Sequence, residues 1–241
     1  DEGMVPQTLQ KPLSALEKRG NAWGKMEKKR ADWTKEEEFA AEYSVKVLDK
    51  KETAETLYFV DSISSYDDRM QDLARATARI LTAGGTDFGI LGKLEKDSGN
   101  EVRRFGEEML FQTLRDENID AILNAGVEKI VTADPHAYNA IKNDYHNSEL
   151  PPIEHLAQYV DRKIKAGDIA LKPVEDNTRV YTYHDPCYLG RHNQLYDAPR
   201  DAMDAIPGLR RVEMEKCRDR SLCCSGGGLM LFYEPEEEER M

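Results

Sequence analysis

Residues 56–91 read TLYFVDSISSYDDRMQDLARATARILTAGGTDFGIL, and this stretch decides the fold. It opens on a β-rich run from Thr56 to Val60, which a polar turn follows. Apolar residues then recur at helical spacing from Tyr66 to Leu81, and Gly84-Gly85 ends that helix. Phe88 to Leu91 is a second short run typical of a strand. Strands separated by helices favour a parallel sheet with helices packed on it.

The same alternation continues along the chain and then starts again. We predict a long helix from Glu101 to Asn124, a strand over 129–132, a helix from Asp134 to about Tyr145 and a helix over 153–166. The restarted pattern has a strand over 179–183, a helix that ends at Pro207-Gly208 and a strand over 211–214. The first fifty residues are polar and carry two tryptophans, so we interpret them as a surface arm that these tryptophans wrap over the core.

Two spacings indicate an internal repeat. The turn at Ser62 corresponds to the turn at Cys187, an offset of 125 residues, and Asp97 corresponds to Cys223, an offset of 126. Agreement to within one residue predicts duplicated, Rossmann-like parallel α/β units related by a pseudo-two-fold axis. The expected organisation is an N-terminal arm or linker over 1–50, a first unit over 51–150 and a second over 151–241.

Charge and composition exclude several classes of protein. The chain carries 34 Lys and Arg against 46 Asp and Glu, a net charge of −12, whereas a surface that binds nucleic acid needs a basic face. No apolar run is long enough to span a bilayer. The chain begins Asp1-Glu2-Gly3 without an initiator Met, and we expect a piece of a longer protein.

Three of the four cysteines are placed to meet. Cys187 and the pair Cys223-Cys224 each follow a predicted strand, and loops after parallel strands share one edge of a sheet. Gly226, Gly227 and Gly228 would let the backbone approach a bulky group and offer it unhindered N–H donors. Soft thiolates with such donors suit an iron–sulfur cluster. The alternative is that these are buried structural thiols.

The sequences at 184–193 (HDPCYLGRHN) and 223–228 (CCSGGG) resemble the cysteine-rich CCG domain. This domain occurs in heterodisulfide reductase subunits and related iron–sulfur oxidoreductases, where a Cys, a Cys-Cys pair and a Cys-x-x-Cys bind non-cubane 4Fe-4S clusters. The resemblance implies an oxidoreductase with metal ligands Cys187, Cys223 and Cys224. It also implies a cofactor-binding role for the three glycines and for His184, which could donate to a cluster sulfur. No catalytic residue is assigned.

Two departures limit the resemblance. The positions that correspond to cysteines in the first unit are Ser62, Asp97, Ser98, Asp134 and Ala137. The hard oxygens of Ser and Asp cannot replace thiolates, and Ala has no ligand atom. We therefore expect no cluster there. Asp97, Asp134 and His136 are left either as a hard-metal or proton-handling site or as a polar remnant. The Cys-x-x-Cys of the second unit would lie beyond Met241, so the expected single 4Fe-4S site is incomplete, and we favour a shortened chain.

The leading hypothesis is an electron-transfer subunit. By the resemblance, its partners are a flavoprotein or ferredoxin-like donor and a disulfide or quinone acceptor, within a complex that has no nucleic acid. The four cysteines, two of them adjacent, favour a reducing compartment, so we expect the cytoplasm or attachment through partners to the cytoplasmic face of a membrane. The rivals are a clusterless scaffold subunit and a zinc site that His184 completes.

Overall fold

The computed structural model of the protein describes residues 5–48 and 52–233. The strands in those ranges are β1 (Lys46–Val47), β2 (Thr56–Phe59), β3 (Phe88–Ile90), β4 (Lys129–Thr132), β5 (Ile153–His155), β6 (Val180–Thr182) and β7 (Arg210–Val212). The α-helices are α1 (Gln7–Arg19), α2 (Glu37–Glu42), α3 (Asp61–Tyr66), α4 (Gln71–Ala83), α5 (Asn100–Phe105), α6 (Glu108–Ala125), α7 (Pro135–Asn139), α8 (Leu156–Ala166) and α9 (Asp197–Asp204). The architecture confirms the α/β prediction.

The first sheet has the order β1-β3-β2-β4-β5, and all its described strands run parallel. Its centre is β2, where Leu57, Tyr58 and Phe59 are fully buried. A strand covered on both faces needs such a continuous apolar run rather than alternation. Because β3, β2 and β4 are neighbours, the loops that follow them lie at one edge of this sheet.

The second sheet consists, in the part of the chain that is described, of β6 and β7, which pair in parallel with Val180 opposite Arg210. Both strands are more open to solvent than the first sheet, with Val180 and Val212 exposed. Cys187 follows β6 and Cys223 follows β7. The first sheet shows the same order along the chain. There, Ser62 follows β2 and Asp97 follows β3, and these two strands are also neighbours.

Several predicted elements differ from those observed. The helix expected from Glu101 to Asn124 is broken into α5 and α6, because Gly106 has a φ of 106° that ends the first segment. The helix expected over 66–81 begins only at Gln71, and the polar turn expected after β2 forms the short helix α3. The helix predicted over 153–166 begins only at Leu156, since 153–155 form β5.

The proposed boundaries between arm and units also shift. β5 pairs with β4 of the first sheet, although we assigned residues from 151 onward to the second unit. β1 lies within the expected arm and pairs with β3. The arm itself is part of the core, since Leu9, Leu16 and Trp33 are each 1% exposed. The tryptophans do anchor the segment, as expected, but its spaced apolar residues are also core positions, so it is more deeply packed than a surface arm.

Across 5–48 and 52–233, no helix has the length and apolarity required to cross a bilayer.

Candidate functional site

The loops at the carboxyl edge of the first sheet line a cavity of about 90 Å³. The side chains that follow β2, β3 and β4 give it an acidic wall, and we call it the acidic cavity. Its polar lining is Asp61, Ser62, Asp97, Ser98, Glu101, Asp134 and His136. Trp23, Leu229 and Phe232 contribute to an apolar wall. Most residues that stand in place of the family's cysteines in the first unit therefore do meet, as the spacing predicts.

A buried ion pair supports the floor of this region. Arg30 and Glu95 are 2% and 1% exposed, and Nη1 of Arg30 lies 2.9 Å from Oε1 of Glu95. Glu95 accepts hydrogen bonds from the backbone N–H groups of Val60 and Asp61. Arg30 also donates to the Ser62 hydroxyl over 3.2 Å. Arg30, the last residue of a basic run over 25–30 in the arm, thus supplies the cation that offsets a buried carboxylate.

The surroundings of Asp61 and Asp97 favour the protonated form of both carboxyl groups. Burial raises the pKa of Asp61 well above its ordinary value, and the charges of Asp97 and Asp134 raise it further. Burial also raises the pKa of Asp97, against the hydrogen bonds it accepts from Gly99 and Ser62. Asp61 has a φ of 60°, a conformation that Asp and Asn tolerate better than most residues. This part of the cavity can hold a proton at a pH where an ordinary carboxyl is ionised.

Replacing Asp61 by Asn should therefore make the protein relatively more stable at alkaline pH. The folded state keeps a proton that the unfolded chain releases above about pH 4, so this group costs stability as pH rises through its folded pKa. Asn cannot ionise, and it suits the positive φ and the hydrogen bond from the Ser62 N–H. We expect a gain on the order of 1 kcal/mol at pH 8 and none at pH 4, measured by urea unfolding. The exposed Asp68→Asn is the control, and equal pH profiles for D61N and wild type would contradict the prediction.

Glu101 and His136 form an ion pair on the opposite side of the cavity. Nδ1 of His136 lies 2.5 Å from Oε1 of Glu101. Burial opposes the charge on His136, but the hydrogen bond to Glu101 and the nearby Asp134 carboxylate raise its pKa to about 9. Burial likewise opposes ionisation of Glu101, yet the hydrogen bond from His136 holds its pKa below the usual value. Both groups are therefore charged at neutral pH.

Asp134 has a structural role as the N-cap of α7. Its Oδ1 accepts hydrogen bonds from the backbone N–H groups of His136 and Ala137, at 2.7 and 3.1 Å. Among the described residues, no group of three His, Cys, Asp or Glu side chains has the spacing that holds a metal ion. The observed contacts therefore favour the proton-handling or polar-remnant interpretations of Asp97, Asp134 and His136 over a hard-metal site.

The loops that carry the thiols are held together by Asp185. Its carboxylate forms a two-point pair with the Arg200 guanidinium at 2.6 and 2.8 Å, with both side chains at most 3% exposed. It also accepts the Arg218 N–H at 2.6 Å, and its carbonyl accepts the Ser221 hydroxyl. Burial opposes the Asp185 charge, but Arg200 keeps its pKa below the usual range. Asp185 thereby ties the loop before Cys187 to the loop before Cys223.

All four cysteines are free thiols, with Cys187 half-buried and Cys223 and Cys224 exposed. Burial raises the pKa of Cys187, and the charges of Cys223 and Cys224 raise it further. Nε2 of His184 lies 2.7 Å from the Leu222 carbonyl, to which it must donate. With that proton on Nε2, Nδ1 of the neutral ring keeps a lone pair that could bind a metal, as in the zinc alternative, but it has no proton to donate to a cluster sulfur.

The three glycines do not all face the thiols. A Cβ placed on Gly226 would lie 3.7 Å from the Cys224 sulfur. A Cβ on Gly227 would instead lie 3.7 Å from Oε2 of Glu101 and 3.8 Å from the Tyr188 ring. Nothing lies within 4 Å of a Cβ on Gly228, whose φ is 64°. The segment therefore leaves the thiols and passes onto the acidic cavity.

Sequence reasoning missed the residues that join the two regions. Tyr188 meets His136 edge-on, with ring centroids 4.7 Å apart, and stacks on His192 at the same separation. Asp185 lies within the quoted motif, two residues before Cys187, and that position could have identified it as a residue of the site. Glu101 and Arg30 carried no local signal, because their partners are far away in the sequence.

The donor chemistry at the second sheet fits an iron–sulfur centre in part. Three soft thiols stand on loops that Asp185 ties together, but among the described residues no group of three His, Cys, Asp or Glu side chains has the spacing of a metal site. The acidic cavity, with carboxylates and hydroxyls in place of thiols, does not fit such a centre.

Comparison with known proteins identifies the family. The sequence model of the CCG cysteine-rich domain matches residues 63–142 and 181–241, more than half of the chain. The chain belongs to the CCG cysteine-rich domain family. The resemblance noted from the motifs is confirmed, and the two matched segments correspond to the two regions of the fold. No solved structure gives a significant match to this chain.

The curated relatives of this CCG chain are redox proteins by name. The "Probable iron-sulfur-binding oxidoreductase FadF" of Bacillus subtilis is 39% identical, over 100% of this chain and 34% of the relative. The "EtfAB:quinone oxidoreductase" of Syntrophomonas wolfei is 35% identical, over 98% of this chain and 32% of the relative. A component of the dihydromethanophenazine:CoB--CoM heterodisulfide reductase of Methanosarcina mazei is 33% identical, over 86% of this chain and 49% of the relative. The chain thus spans a third to a half of the length of these relatives.

Proposed function

We propose that the chain is the CCG part of an iron–sulfur electron-transfer subunit of a heterodisulfide reductase-like oxidoreductase. The observation that carries the proposal is that Cys187 and the pair Cys223-Cys224 follow two neighbouring parallel strands, on loops that Asp185 ties together. The names of the relatives, which specify iron–sulfur binding, a quinone oxidoreductase and a heterodisulfide reductase, support it.

The proposed cofactor is one non-cubane 4Fe-4S cluster, for which these three thiols are part of the ligand set. When bound, it would supply a one-electron redox centre at the second sheet. Asp185 and Arg200 would hold the two loops next to each other, and the thiols would move to the spacing of a metal site when they bind iron. His184, held by the Leu222 carbonyl, would lie beside the site without binding iron itself.

We propose that the first unit carries no cluster and that the two units arose by duplication. Supporting this, β2 with β3 and β6 with β7 are both adjacent parallel pairs followed by the corresponding motif residues. Loss of one cluster favours a relay of single electrons over a two-cluster reduction of a disulfide. The proposed donor is a flavoprotein or ferredoxin-like module, and the proposed acceptor is a quinone or another subunit. Attachment to a membrane would then go through partners.

Replacing single cysteines tests the ligand assignment. In full-length protein purified without oxygen, we expect Cys187→Ser, Cys223→Ser and Cys224→Ser each to lose most of the bound iron and acid-labile sulfide, because a hydroxyl is a poor ligand for the cluster. Cys217→Ser, whose thiol lies outside the motif, is the matched control and should keep both. Loss of iron from the Cys217 variant alone would overturn the assignment. Wild-type protein without iron or sulfide would favour the scaffold alternative.

A further inference from the structure

The segment that follows the cysteine pair is folded onto the first unit. Leu229 is 3% exposed and belongs to the apolar core beneath the first sheet. Phe232 packs edge-on against Trp23, with ring centroids 5.1 Å apart. Residues 222–228, which carry both exposed thiols, are therefore a loop whose two ends are fixed on different units.

Each end of this loop is held by a hydrogen bond, one within the second unit and one to the first unit. At the first end, the Ser221 hydroxyl donates to the Asp185 carbonyl within the second unit. At the second end, the Leu229 N–H donates to Oε2 of Glu101 in the first unit over 3.2 Å. Leu229 has a φ of 66°, so this end of the loop adopts a backbone conformation that needs support from its surroundings.

Glu101 is itself held in one orientation. Its Oε1 is paired with Nδ1 of His136 and accepts a hydrogen bond from Nδ2 of Asn100 at 3.2 Å. Its Oε2 is left to accept the Leu229 N–H. A Cβ on Gly227 would lie 3.7 Å from this oxygen and 4.0 Å from Cε1 of His136, so the loop backbone packs directly on the pair. A hydrogen bond from an amide to a charged carboxylate is among the stronger ones in proteins.

We propose that Glu101, oriented by His136, is a positioning residue of the clusterless unit that fixes the loop bearing Cys223 and Cys224. In this account the acidic cavity has no cluster of its own and instead orients the ligand loop of its neighbour. The inference rests on the proposed function only in explaining why the loop must be fixed. The hydrogen bond from Leu229 to Glu101 itself involves no metal.

Hydrogen–deuterium exchange of the metal-free full-length protein tests the inference. In Glu101→Ala, amide exchange in peptides covering 225–233 should rise about tenfold, as expected for loss of a hydrogen bond to a charged group. Peptides covering the first sheet should not change. Glu101→Gln keeps an oxygen acceptor without the charge and should give an intermediate rise of about threefold. Glu108→Ala, on the neighbouring helix α6, is the matched control and should leave 225–233 unchanged.

Unchanged exchange over 225–233 in both Glu101 variants would overturn the proposal. So would a rise spread evenly over the whole protein, which would show a general structural role. If Glu101→Ala does not fold, Glu101→Gln alone tests the proposal, and a rise in amide exchange confined to 225–233 would support it. Because iron plays no part in this measurement, its result is independent of whether the ligand assignment is right.

Discussion

Arg30→Met is expected to lower the free energy of unfolding by about 3–5 kcal/mol, the usual cost of breaking a buried ion pair from one side. The substitution removes the hydrogen bonds from Arg30 to Glu95, Ser62 and the Gly20 carbonyl. It leaves the Glu95 carboxylate buried close to Asp61, with no compensating cation. Denaturant unfolding followed by the fluorescence of the buried Trp33 would measure the change.

Lys29→Met is the matched control, because Lys29 is the exposed neighbour of Arg30 in the same basic run. The control should change stability by less than about 0.5 kcal/mol. The double variant Arg30→Met with Glu95→Gln should recover part of the loss, since it no longer buries an unpaired charge. If Arg30→Met is as stable as Lys29→Met, the arm does not support the acidic cavity in the way described.

The second large effect is expected at Asp185. Asp185→Ala should leave the Arg200 guanidinium with Glu213 and the Tyr196 carbonyl, and release the backbone of Arg218. Loss of such a buried pair costs about 3 kcal/mol or more, which corresponds to roughly a hundredfold faster amide exchange where opening is local. We expect this rise in peptides covering 184–187 and 217–222, together with reduced iron binding.

The exposed Asp201 provides the control for this prediction. It pairs with Lys165 at 2.8 Å, and both side chains are about half exposed, so Asp201→Ala should have little effect on either measurement. Asp185→Asn, which keeps an oxygen acceptor for the Arg218 N–H, should lie between the two. Normal exchange in the thiol loops of Asp185→Ala would show that they are held by other contacts.

Local sequence patterns predicted most of the sheet but not its limits. The apolar runs at β2 and β4 were recognisable as strands, because buried parallel strands require nearly continuous hydrophobicity. β5 did not, since its three residues run directly into the amphipathic pattern of α8. The break between α5 and α6 depends on the backbone of one glycine, Gly106, inside an otherwise helical pattern.

The candidate site was predictable where it follows the motif. Cys187, Cys223 and Asp97 were predicted from motif and spacing to follow strands, and each does follow one: β6, β7 and β3. The contacts that hold them were not found. Arg30 with Glu95, and Glu101 with the Leu229 N–H, join residues separated by 65 and 128 positions, which no local pattern specifies.

The central claim is that this CCG chain holds iron at its second sheet and none in the acidic cavity. The most direct test is an iron-edge anomalous difference map from crystals of the full-length protein prepared without oxygen. The account predicts strong iron density within bonding distance of Cys187, Cys223 and Cys224, and none beside Asp97 or Asp134. Iron density in the acidic cavity, or iron bound away from these three sulfurs, would contradict it.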